Sequence, residues 1–194
     1  TGAEHISGTG ALKLNLASKG DTVAALKAGL SGTAQLQVRD GAVQGIDVER
    51  TLAQVGGILQ SVLSEQMPDL SSKFDTGSQT SFSSLDTNVT FEHGIGKIKK
   101  LELVSPAVRI TQGNPAQFDL VNDTLDLAAD VKVVNAGKTE RAEFASLQGV
   151  TVPVHISGPF SALSYQVQWK AISGKLAKQA IQNGLLNLIT KPAA

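Results

Sequence analysis

Apolar residues recur at every second position along most of this chain, and that spacing suits a half-buried β-sheet better than any helical fold. Leu12, Leu14 and Leu16 alternate with Lys13 and Asn15, and Leu36 and Val38 alternate with Gln35, Gln37 and Arg39. Leu85, Val89 and Phe91 share one parity, with Thr87 among them and Asp86, Asn88 and Thr90 on the other. Ile98, Leu101 and Leu103 form another run, whose parity breaks at Lys99-Lys100; a β-bulge there accounts for the break. Val108 and Ile110 follow, then Phe118 and Leu120. The cleanest strand holds Leu125, Leu127, Ala129, Val131 and Val133, opposed by Asp126, Ala128, Asp130 and Lys132. Val150, Val152, Val154 and Ile156 make the next, and Tyr165, Val167 and Trp169 close the series.

The links between these runs carry turn chemistry. Asp40-Gly41, His93-Gly94 and Asn122-Asp123 each read as a hairpin turn, because Gly, Asn and Asp tolerate positive φ. Short links favour an antiparallel meander over crossover connections, which need a dozen or more residues. Three helices are expected on the sheet. Asp21 N-caps a short one through Val23 and Leu26, ended by Gly29. Asp47 caps a second, with Val48, Leu52, Val55, Leu59 and Val62 at helical spacing. The third runs from Lys170 to Ile189, with Leu176, Leu185 and Leu188 inward. Ser64 to Thr80 reads as a polar, mobile loop, and Asn135 to Gln148 as a second weak stretch. The expected class is therefore α+β and β-rich: a large, mostly antiparallel twisted sheet with three helices packed on it.

With 194 residues the chain is expected to form a single domain over residues 1–194. It starts at Thr1 and its single Met is Met67, so a piece of a longer protein is expected. Seventeen basic residues balance seventeen acidic ones, and aromatic residues make up only 4%. That balance argues against nucleic acid as a partner. The absence of cysteine removes disulfides, thiol catalysis and cysteine-metal sites. No apolar run approaches the roughly 20 residues of a membrane-spanning helix.

Little in the sequence points to catalysis. His5, His93 and His155 lie far apart and lack metal-type spacing, so each is expected to be a solvated surface side chain. Asp126 and Asp130 share a strand face but stand roughly 13 Å apart, too far for a glycosidase-type carboxylate pair. Gly8-Thr9-Gly10 lacks a third glycine and precedes a strand rather than a helix, unlike a dinucleotide fingerprint. No catalytic, metal or cofactor site is expected. The positive signal is the apolar parity itself. Leu125, Leu127, Val131, Val133, Val152, Val154 and Ile156 are candidates to face an apolar ligand in an open groove. The same residues would also serve an ordinary closed core, the reading that residue burial in general favours, and periodicity does not separate the two.

Several runs, taken in order, resemble the AsmA family. They are Gly32-Thr33-Ala34 with Asp40-Gly41 and Gly45-Ile46-Asp47, Thr80 to Leu85, and Leu101 to Pro106. Asp119-Leu120 with Thr124-Leu125-Asp126, and Val150 to Pro159, complete the set. Gly8 to Leu30 also fits, whereas Glu92 to Lys100 and the tail after Trp169 depart from the family's pattern. The resemblance implies the C-terminal periplasmic region of a bacterial inner-membrane protein, with its anchor in a preceding N-terminal part. It also implies a role in outer-membrane biogenesis: phospholipid movement, lipopolysaccharide levels or outer-membrane protein assembly. Larger relatives are associated with long β-rich grooves that hold acyl chains. The partners implied are phospholipid or another acyl lipid, and outer-membrane assembly proteins. The family supplies no catalytic residues to carry over.

Overall fold

The computed structural model describes residues 6–44, 48, 50, 52–53, 79–134, 147–168 and 171–172. Within them the alternating runs become eight strands: β1 (Ile6–Ala17), β2 (Ser31–Gln44), β3 (Gln79–Glu92), β4 (Ile95–Val104), β5 (Val108–Asp119), β6 (Thr124–Val133), β7 (Thr151–Pro159) and β8 (Ser164–Val167). They form one sheet in sequence order, every neighbour antiparallel, with β1 and β8 at the edges. This is the meander that the short links favour.

The turn chemistry explains most of the connections. His93 and Gly94, both at positive φ, close β3 onto β4 with Glu92 opposite Ile95, as a two-residue hairpin requires. Residues 120–123 join β5 to β6, with Asp123 at positive φ. Asp40-Gly41 is different. It lies inside β2, not between two strands. Asp40 has a φ of 49°, and the β1–β2 register slips between Ser7 and Thr9. The pair therefore forms a bulge, because an Asp in the left-handed region followed by Gly fits a bulge as well as a turn. The bulge expected near Lys99 is present: Asn88 pairs with Lys100 and Val89 with Ile98, which leaves Lys99 unmatched.

Among the described residues one helix forms, α1 (Val23–Gly29), so the expectation of three helices packed on the sheet is corrected. Its N-cap is Thr22 rather than Asp21, because the Thr22 hydroxyl stands three residues before Ala25 and accepts that N–H at 3.1 Å. Nor does α1 cover the sheet: none of its residues is buried, and Val23 and Leu26 are exposed. It sits instead beside the hairpin ends, where Gly94 N–H donates to Leu30 O and Lys27 pairs with Asp123 at 2.6 Å. Of the second expected helix only Val48, Arg50, Leu52 and Ala53 are described, and of the third only Ala171 and Ile172; all six have helical backbone. The rest of both helices lies outside the described residues.

The same applies to residues 64–78 of the expected polar loop and residues 135–146 of the second weak stretch. The first ends inside a strand, whereas the second ends in a turn at residues 147–149. Gln79 and Thr80 belong to β3, and buried Thr80 accepts a hydrogen bond from Val48 N–H at 3.0 Å. Leu147, in the second weak stretch, is only 1% exposed and belongs to the core.

That core sits at one end of the sheet's apolar face. Val108, Val131, Val133, Val150 and Val152 meet Leu52, Leu147 and Ile172 there. A second cluster joins Val38, Phe82, Leu85 and Leu103, and half-buried Ile110 packs against both. The register explains the continuity. Val38, Leu85, Leu103, Ile110, Val131 and Val152 are successive partners across six strands.

Candidate functional site

The apolar face can be followed as rows that run across the strands. The row nearest the hairpin ends is Leu16, Gly32, Phe91, Gly96, Phe118, Leu125 and Gly158. Except where Phe118 faces Leu125, glycines alternate with large side chains there, and the reason is steric. A Cβ on Gly96 would sit inside the van der Waals envelope of the Phe118 ring. Phe118 lies over that glycine and meets Phe91 edge-on, with centroids 5.6 Å apart. Phe160, exposed in the β7–β8 turn, is 6.4 Å from Phe118.

Further along the strands come two rows of mixed burial. In one, Leu14, Ala34, Val89 and Ile98 are successive partners, as are Ala116, Leu127, Ile156 and Tyr165. In the other, Leu12, Leu36, Thr87 and Leu101 pair on one side, and Gln112, Ala129, Val154 and Val167 on the other. Thr87 and Gln112 are polar intrusions, yet both polar ends are turned to use. Thr87 Oγ1 donates to Lys100 O at 2.9 Å. Gln112 Oε1 accepts from Leu101 N–H at 2.7 Å while its Nε2 donates to Lys99 O at 3.0 Å. The side chain thus replaces the ladder bonds lost where the β4–β5 register slips.

The seven candidate ligand-facing residues divide along this gradient. Val131, Val133 and Val152 lie in the closed core. Leu127, at 9% exposed, lies at the boundary. Leu125, Val154 and Ile156 are half-buried, on the three rows nearer the hairpin ends. The face is therefore neither wholly closed nor wholly open. Its burial falls toward β1, where Leu12, Leu14 and Leu16 are 60%, 57% and 37% exposed. The sequence reading singled out none of these three for a site, although their alternation was plain.

The opposite face is polar and carries paired charges. Lys100 donates to Asp86 at 3.0 Å, a bond that raises its pKa above the usual lysine value. Lys97 pairs with Glu92 at 2.6 Å, and its hydrogen bond lowers the Glu92 pKa. His155 is corrected here: it is not a lone solvated side chain. Its Nε2 lies 2.7 Å from Asp126 Oδ1, across the β6–β7 pair. Asp126 is in register with Ser157 and His155 with Ala128, so the two meet diagonally. Among the described residues no group of three or more His, Asp or Glu side chains is placed to hold a metal ion. No helix among them is long and apolar enough to cross a membrane.

A family model described as the AsmA family matches residues 1–101. Those 101 residues are more than half of the 194. No curated protein matches the chain, and no solved structure matches it. The matched span contains β1, α1, β2 and β3, including the Asp40-Gly41 bulge and the His93-Gly94 hairpin. The chain belongs to the AsmA family, which is linked to biogenesis of the outer membrane and cell envelope.

Proposed function

We propose that this chain handles phospholipid acyl chains on the apolar face of its sheet, as part of envelope biogenesis and without catalysing a reaction. The observation that carries the reading is the set of mainly apolar rows on one face, one running from β1 to β7 and two interrupted between β4 and β5, half-buried over the part nearest the hairpin ends. Such a face offers a tail many weak contacts and no polar anchor, and each methylene taken from water contributes about 0.8 kcal/mol. Non-directional contacts of this kind let a lipid slide. In the same reading the chain is the periplasmic region of an inner-membrane-anchored protein, and it acts between the two membranes.

The test uses two substitutions on the half-buried strip, Leu125→Asp and Ile156→Asp. A carboxylate there keeps access to water, so the fold should survive, while a hydrated charge repels an acyl tail. Uptake of a fluorescent fatty acid should fall at least about tenfold in both variants, with melting close to that of the unaltered chain. Unchanged uptake in the folded variants would sink the reading. A second reading, a protein-interaction module that affects outer-membrane protein assembly, is favoured by the exposed β1 edge. Lipid found by mass spectrometry on the purified chain favours the first reading over the second.

A further inference from the structure

We propose that the end of the sheet formed by the β1–β2, β3–β4, β5–β6 and β7–β8 connections seats on a lipid bilayer surface through Val23, Leu26, Val121 and Phe160, and that acyl chains reach the apolar face over this rim. The passage of acyl chains rests on the acyl-chain reading; the bilayer contact is tested apart from it.

In an antiparallel meander alternate connections fall at the same end, so these four lie side by side. Backbone bonds tie them into one rim. Gly94 N–H donates to Leu30 O at 2.9 Å, Leu120 N–H to Gly94 O at 3.0 Å and Phe160 N–H to Asp123 O at 2.9 Å. Val121 lies beside the end of α1, since its Cγ2 and the Lys27 carbonyl oxygen both crowd the place a Cβ on Gly94 would take. Single exposed apolar residues are ordinary on a protein surface, but these are grouped. Nine large hydrophobic side chains are exposed among the described residues. Four are in these connections: Val23 at 73%, Leu26 at 43%, Val121 at 46% and Phe160 at 45%. Three are the leucines of β1, and Ile6 and Val134 alone lie at the opposite end.

A bilayer fits this rim better than a protein partner does, for three reasons. The rim is continuous with the apolar face. Phe160 is 6.4 Å from Phe118, which lies over Gly96 in the row nearest the rim, so an acyl chain that crosses here stays against apolar surface. The opposite end offers no such route, because Val108, Val133 and Val152 are fully buried there. Second, the rim is neutral. Its charged side chains are Lys19, Asp21, Lys27 and Asp123, which sum to zero, and Lys27 already pairs with Asp123 at 2.6 Å. A zwitterionic surface asks for no net charge. Third, the four connections contain no Trp, Tyr or Arg, the residues that most often anchor protein interfaces. Leu and Phe are the residues that segments lying in the lipid interface turn toward the acyl region.

The test is flotation of the purified chain with phosphatidylcholine vesicles. The unaltered chain should float with them, and added salt should change little, since the rim carries no net charge. Val23→Asp should weaken partitioning by about tenfold and Val121→Ser by about threefold. Both sites are exposed, so melting should stay that of the unaltered chain. Val134→Asp, exposed at the opposite end, should float as before. Uptake of a fluorescent fatty acid supplied in solution should be unchanged in Val23→Asp, whereas its extraction from vesicles should fall with the partitioning. Flotation that survives both Val23→Asp and Val121→Ser, or that falls equally in Val134→Asp, overturns the proposal. A chain that ignores vesicles yet takes up dissolved fatty acid also overturns it, leaving the acyl-chain reading intact and the rim to a protein partner. Flotation through this rim with no uptake of fatty acid in either form supports the bilayer contact and overturns the passage of acyl chains, together with the acyl-chain reading.

Discussion

Asp119 shows how much one side chain does where a strand must stop. Its Oδ1 accepts the N–H groups of Val121 at 2.7 Å and Asn122 at 3.0 Å, and its Oδ2 accepts from the Asn122 amide at 2.6 Å. The Asn122 backbone bond, then its side-chain bond, hold the carboxyl pKa below the usual aspartate value. Because the folded pKa is depressed, the ionised form is the one that stabilises the turn. That contribution is complete above the ordinary carboxylate pKa and is lost as pH falls through the lowered folded value. Melting curves taken through the acid range should therefore show a stability loss that Asp119→Asn removes. An unchanged acid limb in that variant would mean that other carboxylates set the profile.

At the scale of the elements, the most informative feature is the pair of slips around β4 and β5. Lys99 is unmatched by β3, and the β4–β5 register shifts between Lys97 and Glu102. Gln112 offsets the second by bonding the Lys99 and Leu101 backbones from β5, and Thr87 bonds Lys100 O on the β3 side. Gln112→Leu would make its row more apolar and yet should destabilise the domain by about 1 kcal/mol, because it strips the half-buried Leu101 N–H of its partner and removes a second, exposed bond to Lys99 O. Denaturant unfolding measures this directly, and a neutral result would show that water replaces the side chain. The β4 bulge was legible because parity breaks visibly at Lys99-Lys100. The role of Gln112 was not, since it depends on which residue of β5 comes opposite. The same reason hid the His155–Asp126 pair, whose diagonal contact follows from register alone. Asp40-Gly41 was misread for a different cause: a left-handed Asp before Gly serves turn and bulge alike, and only the continuation of β2 to Gln44 decides. Leu52 stood at the helical spacing of the second expected helix, whereas Leu147 is a single apolar residue whose burial depends on distant strands, so no period marked it.

For the whole molecule, the gradient of burial fixes how a tail could lie. Three rows stand between the hairpin ends and the buried row of Val38 and Val152, and successive rows are two residues apart. At about 3.3 Å per residue, the strip is roughly 13 Å wide along the strands. Across the strands, the seven gaps of an eight-stranded sheet span about 34 Å at 4.8 Å each. A tail that ran along a strand would soon meet Leu127, Val131 and Val152, which are closely packed. A tail laid across the strands meets Leu125 and Phe118 and has room to extend toward the exposed leucines of β1. Affinity for simple fatty acids should then rise with chain length from octanoate to palmitate, by about two- to fourfold per methylene, without levelling off. Titration calorimetry of that series measures the slope. A plateau at short chains would place the tail along the strands in a dead end against the core, and would make the exposed β1 leucines irrelevant to lipid.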